Sequence, residues 1–183
     1  LECVNYAAKI AQMLNTKVTA LVNNADEAQM EEIGKAGASK ILSMKNEKLS
    51  TDSVMLTAAM EKAVSEEQAT IIIFSADIVG KAVAPRLSAR LKAGLVAGAV
   101  DYPQINGTSF EVKKNVFSGK ATAMYAINSD LKIISLLPNS FPVILSDNQA
   151  SVSEFAPDLS GSISRITVKE IKTTISGGAV PLP

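Results

Sequence analysis

The chain contains no histidine. That removes the commonest general base, the serine–histidine and cysteine–histidine pairs, and imidazole metal ligands. Its one cysteine, Cys3, cannot close an internal disulfide or build a cysteine-rich metal site, and it fits a reducing compartment. Tryptophan is missing and aromatics make up only 4%, which argues against base-stacking platforms. Excess charge is missing too. The 18 Lys and Arg residues balance 18 Asp and Glu, so no global field draws in a polyanion and nucleic acid is not an expected partner. No apolar run has the length needed to cross a bilayer, so membrane insertion is not expected.

What is present suits an ordinary globular protein: 47% hydrophobic and 20% charged residues. At 183 residues, one domain with room for a small appendage is the default. A chain of this size buries roughly 70% of its unfolded surface, enough for a proper core.

Hydrophobic periodicity sets the elements. Cys3, Ala7, Ile10 and Leu14 recur at helical spacing, which predicts an amphipathic helix over 1–14. Val18, Ala20 and Val22 alternate as in a short strand. Asn23, Asn24, Ala25 and Asp26 supply cap chemistry for a helix over 27–36, ended by Gly37, and 40–44 follows as a strand. Thr51, Asp52 and Ser53 offer caps for a helix over 54–66, whose inner stripe is Leu56, Met60, Ala63 and Val64. Residues 70–74 are a continuous apolar run, as in a parallel strand covered on both faces. A helix over 78–91 contains Pro85, so it either starts later or kinks there.

This alternation predicts a doubly wound, mostly parallel α/β sheet with helices on both faces. In this class a strand is expected before the 1–14 helix. The second half changes character. Phe110, Val112 and Val116 alternate with polar residues, and 121–127 and 131–137 are two more strand-like runs. Ser129 and Asp130 between them suit a tight turn, so a hairpin is expected. Three strands without intervening helices imply an antiparallel extension of the sheet. Residues 146–161 read as loop, 162–168 alternate like one late strand, and 176–183 read as a linker to another domain.

No catalytic, cofactor-binding or metal-binding set stands out. Residues 75–81 follow a strand and contain Gly80-Lys81. They lack the earlier glycine and the Ser or Thr of a phosphate loop, so Ser75 or Asp77 as a helix cap is the better reading. Glu31-Glu32 and Glu66-Glu67 read as solvated helix faces, and Lys113-Lys114 as surface charge. Asp101, Tyr102 and Pro103 end a strand and turn, with Tyr102 free to pack or to touch a ligand. Cys3 reads as a small core residue. A hydrolase or transferase is disfavoured, because no nucleophile–base pair is visible.

Three stretches carry a family resemblance. Residues 80–91, with Pro85-Arg86-Leu87-Ser88-Ala89-Arg90-Leu91 and the following Gly94-Leu95, resemble a helix and strand of electron transfer flavoprotein alpha subunits. Asp101 takes the place of an acidic residue that follows there. Residues 115–123 resemble the family's Tyr-small-Gly-Asn-Ala segment, and 136–141 its turn ending in Phe. Phe117 stands for the usual Tyr, Lys120 for Asn and Leu137 for Arg, so polar contacts made at those positions in relatives are not carried over.

The resemblance implies an amino-terminal domain over 1–175, with a fold like that of adenine-nucleotide hydrolases. Residues 176–183 would begin the linker to an absent second domain that binds FAD. It implies an electron carrier and not an enzyme: a heterodimer with a beta subunit, taking electrons from flavin dehydrogenases such as those of fatty-acid β-oxidation. No FAD-binding residue of the family has a counterpart here, so no cofactor is expected on these residues. A bacterial member would be cytoplasmic and a eukaryotic one would sit in the mitochondrial matrix. The rival reading is a free-standing adenine-nucleotide-binding module of the same superfamily. The segments 114–121 and 137–142, turns beside strands, are the expected contact regions.

Overall fold

A computed structural model of the chain describes residues 1–162, 164 and 166–170. Helix α1 (Glu2–Leu14) leads to β1 (Thr19–Asn23), α2 (Glu27–Lys35) and β2 (Lys40–Met44). A short 3-10 turn, Glu47–Ser50, precedes α3 (Ser53–Glu66), β3 (Ile71–Ser75), α4 (Ile78–Leu91) and β4 (Gly94–Ala99). Then come β5 (Gln104–Asn106), β6 (Ser109–Val116), β7 (Ala121–Ala126), β8 (Lys132–Leu136) and β9 (Ser151–Glu154).

Local chemistry explains the helix starts. Asp26 caps α2 by accepting from the Gln29 amide at 2.8 Å, and Gln29 returns the bond to the Asp26 amide, a capping box. Asp52 caps α3 through the amides of Val54 and Met55. Helix α4 is continuous through Pro85. The ring lies on the exposed side, so water is available to the Lys81 carbonyl that proline leaves without its helical partner.

The strands form two hydrogen-bonded sets. One has the order β1-β2-β9, all parallel. The other has the order β3-β8-β4-β6-β5, with β7 on β6. In it β8 lies parallel between β3 and β4, while β5, β6 and β7 pair antiparallel. The period of two along each strand divides the core into layers. Ile134 and Leu136 join Tyr6 and Ile10 of α1, whereas Ile72 and Ile133 join Val64, Ala84 and Leu87 of α3 and α4. In β2, Ile41 packs under α1, whereas Leu42 and Met44 pack with Ala59 and Ala63 of α3. Helices α1 and α3 thus touch both strand sets, from opposite faces. This is the doubly wound α/β arrangement with an antiparallel extension.

Three expectations are corrected. First, 121–127 and 131–137 do not form a hairpin. β7 pairs with β6, and β8 goes to the middle of the parallel set. The Ser129 hydroxyl accepts from the Gly94 amide at 2.7 Å and donates to the Leu131 carbonyl, tying the start of β8 to the start of β4. A hairpin turn instead follows Val116, where Phe117, Ser118 and Gly119 all have positive φ and β6 turns back into β7. Second, the polar stretch 146–161 contains β9. Third, residues 162, 164 and 166–168 carry no strand, while Ile163 and Arg165 lie outside the described residues. The adjacent edges of β2 are already taken by β1 and β9, which leaves that run no place beside it. The apolar run of β3 is flanked on both faces as expected: Ile71 and Ile73 pack on the α1 side, and Ile72 and Phe74 with Val64, Ala84 and Leu87 of α3 and α4. The linker expected over 176–183 lies outside the described residues.

Candidate docking surface beside the sheet

Position 80 opens the helix that a phosphate loop would need, and its surroundings are closed. A Cβ on Gly80 would stand 1.8 Å from the Ser75 carbonyl oxygen, so helix and strand meet here with no side chain between them. Asp77 caps the helix, its Oδ1 accepting from the Gly80 amide at 2.8 Å. A carboxylate therefore occupies the place where a phosphate would meet that amide. The described residues at this turn do not fit a pyrophosphate.

Several of the other singled-out residues have structural partners. Lys35 pairs with Glu31 at 2.6 Å, and the two shift each other's ionisation in the usual directions, Glu31 down and Lys35 up. Glu67 differs from its expected solvated role. It bridges Lys40 and the Thr19 hydroxyl, and the Lys40 bond is the main reason its carboxyl is held below the usual range. Lys113 reaches Asp101 at 3.6 Å. Tyr102 packs: it stacks on Tyr6 at 5.1 Å, and both rings meet Phe141 edge-on. Tyr6 donates to the Asp101 carbonyl at 3.0 Å, and burial raises its phenol well above the ordinary value. Cys3 is partly buried on α1, and desolvation pushes its thiol up to about 11.

The two segments expected to make contacts leave the sheet at one place. Lys114 opposes Ala99 across β6 and β4, and the Ala99 carbonyl accepts from the Leu137 amide at 3.0 Å. From Lys114 the chain runs to the hairpin tip, where Phe117 is 80% exposed. From Leu137 a strap, 137–145, crosses to α1. Glu2 holds it with both carboxylate oxygens, accepting from the amides of Asn139, Ser140 and Phe141 at 2.8–3.1 Å. Asn5 holds it again at Ile144, donating to the carbonyl and accepting from the amide.

This edge exposes apolar side chains. Met124 and Tyr125 on β7 are also exposed, with the Lys114 ammonium 5.5 Å from the Tyr125 ring centre. Leu137, Val143, Ile144 and Leu145 are exposed along the strap. The residues 143–145 and the β7 side chains were not singled out in the sequence. They look like ordinary strand and loop residues until burial shows that nothing covers them. Five of the six β7 residues are exposed, an unusual state for an apolar strand.

The chain matches the family model described as "Electron transfer flavoprotein domain" over residues 1–160. The chain belongs to the electron transfer flavoprotein family. It is 26% identical over 159 residues to the "Electron transfer flavoprotein subunit alpha" of Bacillus subtilis (strain 168), a match that covers 86% of this chain and 49% of that protein. The chain thus spans about half the length of that curated relative, and its likeness runs to the alpha subunit. Among the described residues no three His, Cys, Asp or Glu side chains converge as a metal site, and no helix is long and apolar enough to cross a membrane.

Proposed function

We propose that these residues form the docking half of an electron-transfer flavoprotein. The platform holds a beta subunit through the β6–β7 hairpin and the 137–145 strap. The flavin is housed in a second domain of the alpha subunit, beyond the Gly177-Gly178 stretch. Electrons arrive from flavin dehydrogenases and leave through that flavin, so this half carries no chemistry of its own and works by positioning.

The observation that carries the reading is the uncovered apolar hairpin and strap, both departing from the Ala99 position. Exposed aromatics on a rigid ribbon are the residue type that anchors protein interfaces. Membership of the family and the closed turn at Gly80 support the same division of labour. The test is association of the full-length alpha subunit with its beta subunit. Phe117→Asp together with Tyr125→Ser is expected to weaken binding by about 2 kcal/mol or more, the scale of an interface anchor. Equal affinity for the variant and the parent, with unchanged circular dichroism, would sink the hairpin assignment.

A further inference from the structure

The hairpin between β5 and β6 turns on the chain's single asparagine–glycine pair, Asn106-Gly107. Asn106 pairs with Ser109, and Gly107 and Thr108 make the turn. Gly107 has a φ of 59°, as a glycine does at the first central position of a tight hairpin loop. Both Asn106 and Gly107 are exposed, and a Cβ added to Gly107 would meet nothing within 4 Å.

The polar groups at this tip are unengaged. Among the described residues, neither the Asn106 side-chain amide nor the Gly107 backbone N–H has a hydrogen-bond partner. Other asparagines differ on one count or both. Asn5, Asn23, Asn46 and Asn148 spend their side chains on backbone groups of other residues. Every asparagine except Asn106 is followed by a residue with a side chain, whose Cβ crowds the next backbone nitrogen. Only at Asn106 do a free amide, an uncrowded nitrogen and full exposure coincide.

We infer that Asn106 is a site of spontaneous covalent modification, deamidation through a cyclic imide. The Gly107 backbone nitrogen, deprotonated by a solvent base, attacks the Asn106 side-chain carbonyl carbon. A bond forms between that nitrogen and that carbon. The bond from the same carbon to the side-chain nitrogen breaks, and ammonia leaves, its third proton supplied by the solvent. Water then opens the imide. Opening at the side-chain carbonyl gives aspartate at position 106, and opening at the backbone carbonyl gives isoaspartate. Nothing is oxidised or reduced, and water is the only co-reactant. Ring closure needs Asn106 to turn about its Cα–C bond, so the tip must open first. That opening is local, because β5 is a short strand at the end of the sheet order and pairs with β6 alone.

The isoaspartate product routes the backbone through the former side chain and lengthens it where Asn106 faces Ser109. The pairing of β5 with β6 is thereby thrown out of register. Ile105, the preceding residue of β5, packs against the cluster that contains Tyr6, Phe110 and Phe141. Phe141 belongs to the strap, so the modification reaches from an exposed tip to a side chain of the docking edge.

The experiment ages the full-length protein in warm, mildly alkaline buffer and maps its peptides by mass spectrometry. An isoaspartate-specific methyltransferase with labelled S-adenosylmethionine counts the isoaspartate. Asn106 is expected to convert at least about tenfold faster than any other asparagine, a modest difference in barrier. Asn106→Gln keeps an amide but disfavours the ring, and should abolish the methyl-accepting signal. Protein that carries isoaspartate should exchange its β5 amides faster, and unchanged exchange there would overturn the loss of register. Conversion spread evenly over the asparagines overturns the site, as does a methyl-accepting signal that persists in Asn106→Gln. So does conversion in urea-unfolded protein with none in the folded protein, since the fold would then protect the tip.

Discussion

Asp52 shows how one carboxylate joins distant parts of the chain. It is 2% exposed, caps α3 through two amides, and accepts from the hydroxyl of Ser164, which is remote in sequence. The Ser164 bond is the chief cause that holds its carboxyl below the usual carboxylate range, against the opposing effect of burial. Asp52→Ala should destabilise the protein by about 0.5–2 kcal/mol at neutral pH. The pH dependence follows from the direction of the shift. A folded-state pKa below the unfolded one contributes stability above the unfolded value, near 4, which is lost as pH falls through the folded value. The gap between parent and variant in urea unfolding should therefore be full at pH 7 and shrink below pH 4. Gly80 makes a different residue-scale point. Its sequence context invites a nucleotide reading, but what decides the matter is the 1.8 Å approach of the Ser75 carbonyl to an added Cβ, a packing fact no single sequence displays.

At the scale of elements, the strap is the most consequential connection. It is held by α1, since three amides of 139–141 bond to the Glu2 carboxylate. Glu2→Ala should raise hydrogen exchange at Asn139, Ser140 and Phe141 while leaving the β8 amides protected; unchanged exchange at those three would show that Glu2 does not anchor the strap. The helices and parallel strands were legible because each combines a clear period with a cap or glycine, and 40–44 and 78–91 match their predicted bounds. The position of β8 was not legible. The turn chemistry of Ser129 and Asp130 is local, whereas the pairing of β8 with β3 and β4 depends on residues some forty to sixty positions earlier. The unalternating Ile133-Ile134-Ser135-Leu136 was the available clue, since burial on both faces belongs to a central strand. β9 escaped notice because Ser151-Val152-Ser153-Glu154 is a polar edge strand, mostly exposed.

At the scale of the molecule, the contact edge was half legible. The segments 114–121 and 137–142 were visible as turns. That they depart from one point at Ala99, and that the apolar exposure continues to Leu145, needed the fold. The rival nucleotide-binding reading makes a simple contrary prediction. A ligand held only by the native state raises the melting temperature with concentration. With Asp77 seated on the Gly80 amide, adenosine monophosphate and triphosphate at millimolar levels are expected to leave melting unchanged. A saturating rise would favour the rival.

The central claim is that this half of the flavoprotein is a docking platform whose working surface is the hairpin and the strap. Hydrogen exchange of the full-length alpha subunit, with and without its beta subunit, tests it most directly. The account predicts new protection concentrated at 114–126 and 137–145. Protection that instead falls on α2 and β9, with the hairpin and strap unchanged, would contradict it.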